Sequence, residues 1–201
     1  MKMYKHNFDP TILREYDIRG IINETLFDKD AFMIGYFFGL ICKEKNFNNV
    51  TKIVISMDGR LSSPVLEEKL NEGLENSGCE IYRIGLGPTP MLYFASNYYK
   101  ADGAIQVTGS HNPKDYNGFK IVLNQNSFFG DDIQKLGHFA STGFSKSYDG
   151  FSKSVTINSK YVDEIIKPLK NIEGQLHEKT IVWDCGNGAS GPSVEMITSK
   201  I

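Results

Sequence analysis

The chain has 201 residues, 40% of them hydrophobic and 23% charged, which is room for one large domain, or one domain and part of another, and excludes disordered and fibrous classes. With 22 Lys+Arg against 24 Asp+Glu, the whole-chain field offers nothing to nucleic acid or an anionic membrane, so any bound anion must be held by a local site. Cys42, Cys79 and Cys185 are odd in number and carry no C-x-x-C pair, which argues against a disulfide framework or structural zinc and for reduced thiols in a cytoplasmic protein.

In chain order, the first strong pattern is "DKDAFMIGYFFGLICKEK", residues 28–45. Its apolar run is shorter than the roughly 20 residues a membrane span needs, and it starts too far in for a signal peptide. A core helix is expected, with Asp28 or Asp30 as N-cap, Met33, Ile34, Phe37, Leu40 and Ile41 on one face, and lysines at the negative end of the dipole. "KIVIS", 52–56, reads as a β-branched strand. "SSPVLEEKLNEGLENSG" then gives a helix with serine caps, Pro64 in the first turn, Val65, Leu66, Leu70 and Leu74 inward, and a stop at Gly78.

"EIYRIG" is the next strand, "TPMLYFASNYY" the next helix and "GAIQVT" the third strand. Strands alternating with helices imply parallel pairing through crossovers. The pair Asn117-Gly118 is a tight-turn signal that would send 119–123 back antiparallel. The expected class is a layered α/β domain with a mixed, mostly parallel sheet flanked by helices. Residues 141–159 turn to Ser, Gly and Lys and mark the boundary, although Phe144, Tyr148 and Phe151 should pack. Residues 1–145 form the first domain. Residues 155–201 open a second, similar α/β unit, with a helix at "SKYVDEIIKPL", a strand at "KTIVWDC" and a turn at "GNGASGP". One strand and two helices cannot cover a sheet, so this unit is expected to be incomplete.

The stretch "VTGSHNPKDYNGFKIV", 107–122, carries the chemistry. Gly109 permits close backbone approach, and Pro113 keeps Asn112 out of helical conformations, so Ser110 is held in an irregular loop after a strand. Ser110 and Asn112 could simply satisfy local turn hydrogen bonds; the hydroxyl beside the imidazole of His111 could equally be a site of attachment and release. The unperturbed imidazole pKa lies near neutrality, so a histidine beside this serine suits proton or phosphate chemistry. His6, His138 and His177 have no such context and are read as structural.

"TGSHNPKDYNGFKI" resembles the active-site serine loop of the α-D-phosphohexomutases, the phosphomannomutase and phosphoglucomutase superfamily. "REYDIRG", "DGRLSSP", "GPTPMLYFA" and "VWDCGNGASGP" follow the same family's order along nearly the whole chain. Met57 departs from it, since many relatives carry arginine there. The resemblance implies that phospho-Ser110 gives its phosphoryl group to a hexose phosphate, forming a hexose 1,6-bisphosphate that also serves as activator. This intermediate then returns its other phosphate, so that phosphate migrates between O1 and O6. It also implies that Lys120 assists proton transfer, that Arg19 offers a planar fork to phosphate oxygens, and that Arg14, Tyr16 and Asn112 contact substrate; without it, Lys120 reads as solvated, Arg19 as the partner of an Asp17 salt bridge and Tyr16 as half-buried.

Magnesium is implied too, bound through the Ser110 phosphate and three aspartates on a later loop absent from these 201 residues. Ser110 is then the only metal-linked position. The implied substrate is a hexose phosphate, mannose slightly ahead of glucose. The chain alone is expected to turn over little. The alternative is a non-catalytic remnant, or a partner-dependent subunit of a split mutase that packs against a separately encoded C-terminal fragment. Neither nucleic acid nor membrane is expected as a partner. The competing motif, residues 186–191, satisfies the G-x-G-x-x-G of a dinucleotide turn, but the acidic residue expected roughly 20 residues on lies beyond the chain.

Overall fold

A computed structural model describes residues 3–45, 50–172 and 180–201; His177 and Lys179 lie outside the described residues. In chain order the elements are β1 (Ile18–Ile21), α1 (Asp28–Lys45), β2 (Lys52–Met57), α2 (Ser63–Asn76), β3 (Glu80–Leu86), α3 (Thr89–Tyr98), β4 (Gly103–Val107), β5 (Tyr116–Leu123), β6 (Asn126–Ser127), α4 (Asp131–Thr142), β7 (Phe151–Ser154), α5 (Asn158–Ile165), a 3₁₀ helix (Lys167–Ile172) and α6 (Gly191–Thr198). One sheet runs β1-β5-β4-β2-β3-β7, with β6 beside β5. β2 pairs parallel with β3 and β4, and β7 parallel with β3. β5 pairs antiparallel with β1, β4 and β6, so the sheet is mixed.

Side chains alternate across a strand, and here the alternation builds two layers. Ile53, Ile55, Ile105, Phe119 and Ile121 pack with α1, α2 and α4 on one face. Val54, Ala104 and Val122 pack with Leu92 and Ala95 of α3, with Ile157 before α5 joining them on the other. Val162, Ile166 and Ile197 form a small separate cluster between α5 and α6.

Helix α1 occupies its expected residues but is buried almost all round, with Tyr36, Phe37 and Phe38 fully enclosed, because the sheet, α2 and α4 surround it. Ile41, expected inward, is only half-buried. The helix is capped from within: the Asp30 carboxylate accepts the Phe27 N–H at 2.7 Å, the reaching-back half of a capping box, and meets His6 Nε2 at 2.6 Å. His6 is thus structural, as expected. In α2, Leu66, Leu70 and Leu74 are buried while Val65 is 51% exposed, since it lies about 100° around the helix from that stripe. The expected serine cap is also absent: Ser62 makes no side-chain cap bond, and Ser63 Oγ donates to Asp58 instead.

Asn117 and Gly118 lie inside β5 rather than in a turn, and the reversal is spread over residues 108–115. Gly118 pairs with Arg19, and a Cβ there would meet the Ile18 carbonyl at 2.1 Å, so the glycine admits β1. After Thr142 two of the three aromatics expected to pack do so, while Phe151, whose side chain stands off the edge strand, is 56% exposed. Phe144 meets Phe139 edge-on, Tyr148 lies under the Lys43 ammonium at 3.7 Å, and β7 adds a strand to the same sheet. Residues 180–185 form no strand; among the described residues nothing pairs with them, and Val182 is 88% exposed. No described helix is long and apolar enough to cross a membrane.

Candidate functional site

The parallel register of β2 and β4 sets Met57 beside Val107, so both strands end at the same edge and the loops that follow meet. Ligands of open α/β sheets bind in such crevices beyond the carboxyl ends of strands. Asp58 links the two loops. One carboxylate oxygen accepts the Thr108 hydroxyl at 2.8 Å and the Gly109 N–H at 3.1 Å; the other accepts the Ser63 hydroxyl at 2.6 Å and the Arg60 N–H at 3.1 Å.

Arg60 completes the link. Its Nη1 donates to the carbonyls of Pro113 (2.6 Å) and Tyr116 (2.9 Å), its Nη2 to those of Ser110 (3.0 Å) and Asn112 (2.6 Å). A Cβ at residue 109 would sit 2.3 Å from Arg60 Cζ, so the close approach that glycine allows is used by this guanidinium. From the other side, Asn117 Nδ2 donates to the Ser62 and Ser63 hydroxyls at 2.9 Å each, joining the start of β5 to the start of α2.

Ser110 therefore sits on a fixed loop. It has φ of 53°, a left-handed conformation rare for a residue with a Cβ, and its N–H donates to Thr108 Oγ1 at 2.8 Å. Its side chain is exposed, with Oγ 3.2 Å from His111 Nδ1. Asn112 donates to the Gly109 carbonyl from both its backbone and its side chain, which is the local turn bonding foreseen for it. A cleft of about 780 Å³ opens here, lined by residues 59–62, by Ser110, His111, Asn112 and Lys114, and by the turn at 186–189. That turn therefore forms a wall of the serine cleft. No strand precedes it, so the setting a dinucleotide turn requires is missing.

The other expected residues lie elsewhere. Arg19 and Lys120, on the adjacent strands β1 and β5, both engage Asp17: the Arg19 guanidinium donates to its carboxylate, and Lys120 Nζ stands 3.4 Å from the same oxygen. Both cations are engaged by Asp17 rather than by Ser110, although β5 contacts the serine loop directly, the Thr108 N–H donating to the Gly118 carbonyl at 2.9 Å. Arg19 Nε is buried without a hydrogen-bond partner. Arg14 stands 5.9 Å from the centre of the Tyr116 ring and Tyr16 is 76% exposed; both belong to the loop before β1 and neither lines the cleft.

Asp58, Arg60 and Thr108 are site-building residues to which sequence reasoning gave no individual role, and Asn117, read as a turn residue, joins them. The signal available was Asp58-Gly59-Arg60, lying between a strand and a Ser-Ser-Pro helix start. Among the described residues no group of three or more His, Cys, Asp or Glu could hold a metal, and both Asp58 oxygens are engaged. The described residues do not make a magnesium site by themselves.

Residues 10–140 match the family model described as phosphoglucomutase/phosphomannomutase, alpha/beta/alpha domain I. A phosphomannomutase/phosphoglucomutase of Pseudomonas syringae pv. tomato is 40% identical over 181 residues, covering 90% of this chain and 37% of that protein. A phosphoglucomutase of Neisseria meningitidis serogroup B is 38% identical over 187 residues, covering 90% and 38%. Among solved structures, a phosphoglucomutase/phosphomannomutase family protein of Burkholderia thailandensis gives a TM-score of 0.80 at 32% identity, covering 96% of this chain and 42% of the other. The chain spans roughly two-fifths of the length of these relatives.

Proposed function

Because the chain belongs to the phosphoglucomutase/phosphomannomutase family through its α/β/α domain I, we propose that Ser110 is the phosphoryl carrier of a phosphohexomutase. The observation that carries this reading is an exposed serine hydroxyl, on a backbone held in a left-handed conformation, at the lip of a cleft beyond the ends of two parallel strands. In the forward step the bond between phosphorus and Ser110 Oγ breaks as a hydroxyl of a hexose phosphate bonds to phosphorus. The sugar's proton leaves to a base and Ser110 departs as a hydroxyl. The reverse step uses the other phosphate of the bisphosphorylated sugar.

This chemistry depends mainly on alignment and on neutralising charge. A phosphoserine carries about −1.5 to −2 charges, and His111 at 3.2 Å is the nearest group able to exchange a proton with Oγ. Lys114 lines the same cleft. Lys120 and Arg19, held by Asp17 on strands that adjoin the serine loop, are the cations this reading offers to neutralise the phosphate. Cys42, Cys79 and Cys185 are all free thiols, which supports a cytoplasmic setting.

The test is incubation with a hexose 1,6-bisphosphate followed by intact mass and phosphopeptide mapping. One phosphoryl group on Ser110, absent from Ser110→Ala, is expected; label on another residue would refute the assignment. Mutase turnover by the chain alone is expected to fall well below ordinary enzyme rates.

A further inference from the structure

We propose that Arg60 is the positioning residue for Ser110: its guanidinium gathers the carbonyl oxygens of the loop onto one point, holding the serine left-handed and turning those oxygens away from the face that receives a phosphate. The proposal rests on the reading of Ser110 as phosphoryl carrier and adds to it the device that aims the hydroxyl.

Three independent features converge. First, one side chain serves four carbonyls, those of residues 110, 112, 113 and 116, within a span of seven residues. Carbonyl oxygens drawn together repel each other unless a cation lies between them. A guanidinium has five donors in a planar fork, whereas an ammonium has three on one point, so only arginine can serve all four and still face Asp58 with Nε, here 3.4 Å from its carboxylate. Second, the space is dedicated: any side chain at residue 109 would collide with the guanidinium. Third, Ser110 is in a conformation that an L-residue adopts only when its surroundings impose it. Its own carbonyl is one of the four held.

Each peptide unit is a dipole, so a carbonyl fixed on Arg60 cannot present its negative end to the Ser110 hydroxyl. A dianionic phosphate on that oxygen then avoids four repulsive partners. Arg60 does not contact the sugar in this scheme; it acts through the backbone of the loop.

The experiment is solution NMR on the whole chain and on Arg60→Lys and Arg60→Gln. A strong cross-peak between the amide and α protons of Ser110 marks its positive φ. Both variants should lose that cross-peak. The amides of Gly109, Ser110, Asn112 and Tyr116, all hydrogen-bonded here, should exchange roughly tenfold faster, while those of β2 and β4 stay protected. Low concentrations of guanidinium ion should restore the cross-peak in Arg60→Ala. An unchanged cross-peak with unchanged loop protection in both variants would overturn the proposal. So would loss of protection spread equally through β2 and β4, which would make Arg60 a general stabiliser. Because these readouts need no phosphorylation, they decide the role of Arg60 even if Ser110 of the unsubstituted chain fails to take up phosphate, an outcome that would count against the carrier reading instead.

Discussion

Asp17 is the residue on which the charge balance beside the site turns. It is 8% exposed and holds both Arg19, itself 8% exposed, and Lys120. Removing one partner of a buried pair leaves the other charge uncompensated, so Asp17→Ala should destabilise the fold by about 3 kcal/mol, measured by urea unfolding; a loss under about 0.5 kcal/mol would mean the pair is solvated. The same residue shows what a sequence can and cannot convey. Ser110, His111 and Asn112 were legible because they are consecutive and fenced by Gly109 and Pro113. The cationic character of Arg19 and Lys120 was legible too. That Arg19 could pair with Asp17, two residues away, was legible as well; that Lys120 meets the same carboxylate was not, because Asp17 reaches Lys120 only through the antiparallel pairing of β1 with β5. Arg60 was illegible for a similar reason: its four acceptors lie some fifty residues on and come within reach only through the parallel register of β2 and β4.

At the scale of elements, α1 and α2 approach backbone to backbone through glycines. A Cβ at Gly73 would lie 2.0 Å from the Phe32 carbonyl, and one at Gly35 2.2 Å from that of Leu70. Helix propensity alone favours alanine over glycine by about 1 kcal/mol, yet here the added methyl would force two backbones apart. Gly73→Ala should therefore lower stability by about 2 kcal/mol, read as a drop in melting temperature; a rise would show that the helices can separate without cost. Helices α1, α2 and α3 and strands β2 to β4 were readable from periodicity because each buries a full stripe or face. β1, with the sequence "IRGI", and β6, with two residues, carry too few side chains to register a period. Residues 180–185 have strand-like composition and no strand, because a strand exists only with a neighbour to accept its hydrogen bonds.

For the whole molecule, the informative fact is that the turn at 186–189 reaches a cleft whose exposed serine lies in a different part of the chain. As a dinucleotide motif that turn led nowhere; as a cleft wall it has a place. Two thiols are buried in the interior. Burial pushes the Cys79 thiol up to about 11 and the Cys42 thiol well above its ordinary value, so in both the reactive thiolate is scarce near neutral pH. Alkylation under native conditions should modify the half-buried Cys185 first, with Cys42 and Cys79 reacting only on unfolding; early modification of Cys42 would contradict the packing around α1.

The decisive quantity is the fate of a phosphoryl group placed on Ser110. The chain made with phosphoserine at that position and mixed with a hexose 6-phosphate should slowly yield a hexose 1,6-bisphosphate, seen as two new sugar phosphate signals by phosphorus NMR as the phosphoserine signal fades. Release of inorganic phosphate alone, or a phosphoserine indifferent to the sugar, would contradict the account.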